Sequence, residues 1–318
     1  MTGKHHVEVK NRDASFKFDL CRNITIVRGK SGTGKTTLYD MISDYTRLKE
    51  ESGVNISCDK KCVALTDIDW ENQLRKIKDS IVFIDEGAAY LRTEEFARAI
   101  KGSSNYYVIF NREDLHELPY SVEEIYEIKA SGKYHTFKKI YKSNKEHVYY
   151  RDKSEKIQKF DALLTEDSKS GFQFYQHYFR ESEIECFTSG SNTAIFKWLK
   201  EHANDHVLVV ADGAAFGAEI DKILKLKSVS NFQLCLPESF EWLILKSGLI
   251  KRNDIEKVLE DPSEFVDSAK YFSWENFFEK YLVESTVKTP FQYKKDRINK
   301  VYLLDHNAKT IMKEIIDK

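Results

Sequence analysis

Residues Gly29-Lys-Ser-Gly-Thr-Gly-Lys35-Thr36 satisfy the spacing G-x-x-x-x-G-K-[ST]. Glycines at 29, 32 and 34 let the backbone turn its N–H groups inward, and a concave row of N–H groups cradles phosphate oxygens. In such a cradle Lys35 reaches the β and γ phosphates of a nucleoside triphosphate, and the Thr36 hydroxyl ligates magnesium. Lys30, Ser31, Thr33 and Thr37 complete the candidate nucleotide-binding set. Further along, the apolar run Ile81-Val-Phe-Ile84 delivers two adjacent acids, Asp85 and Glu86. A pair of this kind divides two tasks: Asp85 serves the metal, and Glu86 polarises an attacking water.

These residues act together only if a strand precedes the loop, a helix follows it, and a second buried strand carries the acids to the same edge. The pattern provides each element. Asn23–Arg28 reads as a strand entering the loop, Lys35–Leu48 as a helix leaving it, and Ile81–Ile84 as the acid-bearing strand. Between them come short strands at Val54–Ser57 and Cys62–Thr66 and a helix over Asp69–Ile77. A helix over Thr93–Ile100 has Thr93 as its N-cap, and Tyr106–Phe110 is a further buried strand. Alternating strands and helices imply an α/β fold with a parallel sheet covered on both faces. Hairpin strands follow at Tyr134–Tyr141 and His147–Arg151, around Ser131-Gly132 and Ser143-Asn144.

The loop and the Asp85-Glu86 pair resemble the P-loop NTPases that carry a catalytic glutamate, over about residues 7–130. The resemblance implies ATP and Mg2+ as ligands, ATP hydrolysis, and a polar residue on a neighbouring strand near the γ-phosphate. Asn111, after Tyr106–Phe110, matches that place and equally suits a strand-terminal turn. No LSGGQ-like signature or AAA+-type helical lid follows. Asn111-Arg-Glu-Asp114 resembles the guanine-reading N-K-x-D of GTPases with Arg for Lys, whereas the adjacent acids at 85 and 86 favour ATP. Hydrolysing P-loop domains often complete their site with a second subunit, so an ATP-dependent dimer or other homo-oligomer is expected.

The second half alternates again: a strand at Glu183–Thr188, a helix at Asn192–His202, a strand at His206–Ala211, a helix near Ala218–Leu226 and a strand at Phe232–Leu236. This series, with Ser189-Gly190 and Asp212-Gly-Ala214 at strand ends and Gly217 beyond, resembles a Toprim domain over about residues 180–245. The family's strand-terminal Glu is replaced by Ser189, and the second Asp of its D-x-D by Ala214. Asp212 is thus expected to stand nearly alone, with Glu185, Glu219 and Glu241 as candidate helpers and Glu241 foremost. A generic Rossmann-like unit is the plain alternative. The expected organisation is a P-loop domain at 1–151, a linker at 152–179 centred on Glu166-Asp-Ser-Lys-Ser-Gly171, a Toprim-like domain at 180–250 and a helical extension at 251–318.

Composition sets the outer limits. The 318 residues suffice for two domains, and a hydrophobic share of 41% with 13% aromatics excludes a disordered chain. A net charge of -1 offers no bulk drive toward nucleic acid or anionic membrane, so any nucleic-acid contact must be local. The N-terminus lacks a signal-peptide core and no run is apolar enough to span a membrane, so a cytoplasmic location is expected. Cys58 and Cys62 have a metal-like spacing but no completing pair, and read as free thiols. Three functions fit: an ATPase controlling a catalytically degenerate Toprim-like domain, as in bacterial defence or mobile-element systems; an ATP-regulated Toprim-type nuclease; or a nucleotide-gated scaffold. In the last, the aromatics Tyr271, Phe272, Trp274, Phe277 and Phe278 would dock a protein partner or simply pack a core.

Overall fold

The computed structural model describes residues 1–143, 149–150 and 157–316. The chain is a mixed α/β protein of two compact units, Met1–Ile140 with Glu260–Ser273, and Tyr141–Leu259 with Trp274–Lys318. No helix among the described residues is long and apolar enough to cross a membrane.

The first unit runs β1 (His5–Lys10), β2 (Ser15–Leu20), β3 (Ile24–Arg28), α1 (Lys35–Leu48), β4 (Asn55–Ser57), β5 (Lys61–Leu65) and α2 (Trp70–Lys76). It continues with β6 (Ser80–Ile84), α3 (Glu94–Ile100), β7 (Tyr106–Phe110), β8 (Ile125–Ser131) and β9 (Tyr134–Lys139). All nine strands form one sheet in the order β4-β1-β2-β9-β8-β3-β7-β6-β5. From β8 to β5 the strands are parallel. Every residue of β3, β6 and β7 is buried, because a parallel strand covered on both faces has no position that tolerates water. Full burial of such a Val, Ile or Phe side chain contributes about 1.5–3 kcal/mol.

One expectation for this unit needs correction, and one strand is added to it. The sheet is mixed, since β1 pairs antiparallel with β2 and β4, and β8 pairs antiparallel with β9. The strand β1 is itself additional: His5, Val7 and Val9 are buried while His6 and Lys10 face solvent, a period of two that its histidines and charges conceal. Thr93 does cap α3 as expected, its Oγ1 accepting from the Phe96 N–H at 3.2 Å.

The second unit begins with the antiparallel pair β10 (Lys142–Ser143) and β11 (Tyr149–Tyr150). Asn144, His147 and Arg151 of the expected hairpin lie outside the described residues. Then come β12 (Ala162–Thr165), α4 (Ser170–Tyr178), β13 (Glu185–Thr188), α5 (Asn192–Glu201), β14 (Val207–Val210), α6 (Ile220–Lys225) and β15 (Phe232–Cys235). Helices α7 (Phe240–Lys246), α8 (Ile255–Glu260), α9 (Trp274–Thr286) and α10 (Asp305–Met312) follow. Strands β13-β12-β14-β15 form a wholly parallel sheet in that order.

The expected linker at 152–179 is therefore wrong from residue 162 onward. It holds the interior strand β12 and the helix α4, and residues 166–169 are the tight connection between them. A four-residue strand beside a polar run falls below the length at which alternation can be read. The extension at 251–318 is also not one piece. Residues 260–273 belong to the first unit, where the N-terminal ammonium lies 2.8 Å from Asp267 and Asn23 Nδ2 donates to the Phe272 carbonyl at 2.9 Å. Trp274, Phe277 and Phe278 are buried in the second unit, so these three aromatics pack a core instead of forming a docking face.

Candidate functional sites

In the first unit the strand order places three parallel strand ends side by side, β3 leading into Gly29, β7 into Asn111 and β6 into Asp85. Gly29, Gly32 and Gly34 have φ of 142°, 80° and 98°, a backbone region closed to most side-chain-bearing residues. Gly34 is the N-cap of α1 and offers no side chain to the first-turn N–H groups, and no acid lies in that turn. Those donors and the positive end of the helix are left for an external anion. Thr33 Oγ1 donates to the Lys30 carbonyl at 3.1 Å and braces the loop. Ser31, Thr36 and Thr37 are exposed.

Lys35 is 5% exposed. Its Nζ donates to the carbonyls of Gly29 and Lys30 at 2.6 and 3.0 Å, and lies 3.7 Å from Glu86 Oε2. Burial lowers its pKa, partly offset by the Glu86 charge. Asp85 is half-buried and faces α1: after burial, its charge is the leading cause of the raised pKa of Tyr39 and of Asp40. The geometry thus brings Lys35, Asp85 and Glu86 together across fifty residues of chain.

Asn111 is 3% exposed, and its Nδ2 donates to the Glu113 carbonyl at 3.0 Å, the contact of a turn residue. The rest of Asn111-Arg-Glu-Asp114 is also engaged within the unit. Arg112 Nε is 2.6 Å from Glu86 Oε1, Glu113 pairs with Arg92 at 2.5 Å, and Asp114 pairs with the buried Arg28 at 2.7 Å. Arg112 is the residue that sequence reasoning missed as a partner of Glu86, since only the tetrapeptide drew notice.

The second unit holds a different cluster. Glu166 follows β12 and Asp212 follows β14, two neighbouring parallel strands in register. The Asp212 backbone N–H donates to Glu166, and both acids line one recess with Glu241, Ser170 and Lys295. Asp212 therefore does not stand alone, contrary to expectation. The strand-terminal acid is Glu166, in the supposed linker, and Ser189 is a loop brace whose N–H and Oγ donate to the Thr165 carbonyl. Glu185 opens β13, at the end of the sheet opposite Asp212. Ala214 is buried, and Glu219 is buried beneath the surface at 3% exposure. Glu241, 1% exposed, does reach the cluster as expected.

Charge in this recess is unbalanced. Burial, then repulsion from Glu275, pushes Glu166 up to about 8. Burial, then Glu166, pushes Asp212 well above the carboxylate range, and burial raises Glu241. Lys295 opposes them: burial alone would depress it, but Glu241, Glu275 and Asp212 hold it above its ordinary value. Its Nζ is 2.7 Å from Glu275 and 3.1 Å from Glu279. Tyr293 donates to Glu241 Oε1 at 2.7 Å, while Glu166 Oε2 and Glu241 Oε2 are buried with no hydrogen-bond partner among the described residues.

No family model, curated protein or solved structure matches the chain.

Proposed function

We propose that the first unit binds Mg-ATP on the Gly29–Thr36 loop and hydrolyses it, with Lys35 neutralising phosphate charge and Glu86 orienting the attacking water. The observation that carries the reading is the meeting of Lys35 with Glu86 at 3.7 Å, beside Asp85, where the ends of β3 and β6 flank that of β7. Asn111 stands between loop and acids, the place the resemblance assigns to a polar residue near the γ-phosphate. Magnesium suits the donors: the Thr36 hydroxyl and Asp85 are hard oxygen ligands. Such an ion takes its other ligands from phosphates and water. Bound there, it would offset charge between the β and γ phosphates. ATP is preferred to GTP because the residues of the guanine-like tetrapeptide are occupied by partners inside the unit.

In this proposal the nucleotide state, with an ATP-promoted homodimer, governs what the second, Toprim-like unit binds. Heat-stability shifts with ATP, GTP and their magnesium-free controls, followed by phosphate release, test it. Equal shifts with and without Lys35 would overturn it.

One observation favours a second reading, ATP-regulated phosphodiester cleavage by the second unit: Glu166 and Asp212 end adjacent strands with Glu241 beside them. The present arrangement does not fit a metal there. No three of these acids are placed to hold an ion among the described residues, and Lys295 supplies the positive charge. The non-cleaving reading is therefore retained.

A further inference from the structure

His135 sits where no motif points. It lies on β9, and its ring stacks on Phe16 of β2 with centroids 4.4 Å apart and planes 23° from parallel. Phe16 is wholly buried, so it backs one face of the imidazole from inside the unit. The ring also abuts the phosphate loop: a Cβ on Gly34 would meet His135 Cδ2 at 3.3 Å and Phe16 Cε1 at 3.4 Å. The third constraint is Nδ1, which is 3.1 Å from the Lys133 carbonyl and, facing an acceptor, must donate to it. Phe16 backs one face, Gly34 lies against the Cδ2 edge and Nδ1 is engaged, while the residue as a whole stays half-exposed.

On the proposed reading the loop backbone cradles the α and β phosphates and Lys35 reaches the β and γ, so the nucleoside, joined through the α-phosphate, would leave the loop near the first turn of α1. His135 stands at that turn, against the N-cap Gly34. We propose that the outer face of His135 is the shelf on which the base of the bound nucleotide stacks. A flat ring braced from behind by Phe16 loses little freedom on binding, and base–aromatic stacking tolerates any purine because every base has a π face. The shelf thus serves affinity for nucleotide over bare polyphosphate, and not the choice between ATP and GTP. This inference rests on the nucleotide-binding reading of the loop.

The test is calorimetric titration of the full chain with Mg-ATP and, separately, with magnesium tripolyphosphate, which has the phosphates and no base. His135→Ala should weaken ATP about tenfold and leave tripolyphosphate unchanged, whereas His135→Phe should keep both near wild type. Melting curves of both variants check folding, and the phenylalanine variant carries the test if the alanine variant unfolds: a tenfold loss of ATP with it would overturn the proposal. Unaltered ATP affinity in folded His135→Ala would overturn it, as would equal losses of ATP and tripolyphosphate, which would mark His135 as a prop for the loop. If the wild-type chain binds neither ligand, the nucleotide reading itself fails and the shelf falls with it.

Discussion

Arg112 Nε lies 2.6 Å from Glu86 Oε1, while the other oxygen of the same carboxylate faces Lys35. Glu86 is thus bridged by two cations, one on the loop helix and one beyond β7. The Arg112 side chain is 51% exposed and that of Glu86 33%, so water screens the pair and it contributes less than about 1 kcal/mol. A contact that weak can open when a triphosphate draws Lys35 away. Arg112→Ala should free Glu86 and raise phosphate release by at most about fivefold with ATP affinity unchanged. A fall in rate would instead show that Arg112 stabilises the reacting phosphate.

Lys35→Ala should weaken Mg-ATP by about a hundredfold or more, because it removes the buried ammonium that meets both the loop carbonyls and Glu86. Calorimetry on the folded variant measures this. Unchanged affinity removes the loop from the site.

On the proposed reading, Glu86→Gln should retain Mg-ATP and lose hydrolysis by about a hundredfold, since Asp85 would still serve the metal while the water would lose its base. The amide also keeps a hydrogen-bonding oxygen, which limits disturbance of Lys35. Single-turnover phosphate release gives the rate, and wild-type turnover would reduce Glu86 to a structural role.

Glu166 titrates far from its unfolded value, and its sign can be worked through. Unfolded, it releases its proton near 4.5; folded, near 8, chiefly because of burial. Between those values the native state holds the extra proton, so stability falls as pH rises through the window and levels off above it. Glu166→Gln mimics the protonated form. It should be more stabilising at pH 9 than at pH 5 by at least about 1.4 kcal/mol, the worth of one pKa unit. Urea melts at the two pH values check it, and an equal effect at both would mean that Glu166 is ionised in the native state throughout.

The second unit should cut neither DNA nor RNA with magnesium or manganese, because a lysine, Lys295, is the cation facing the acids of the recess. Cutting that Asp212→Ala and Glu166→Gln both abolish, while ATP hydrolysis persists, would decide for the nuclease reading.

What the linear sequence determined about this protein is local. The glycine spacing of residues 29–34, the helix over 35–48 and the buried strands ending at Arg28, Ile84 and Phe110 were all legible, because each depends on neighbours within a few residues. Asp85-Glu86 followed from the same short run. Tertiary structure decided everything that depends on which strand ends lie side by side. It alone put Arg112 on Glu86, set His135 and Phe16 against Gly34, and made Glu166 the neighbour of Asp212 by inserting the four-residue β12 beside β14. It alone brought Lys295, 83 residues beyond Asp212 in the sequence, to the same acids. The physical reason is range: dihedral preferences and side-chain period act within a turn or a strand, whereas burial and charge act through space on residues whose separation along the chain carries no signal.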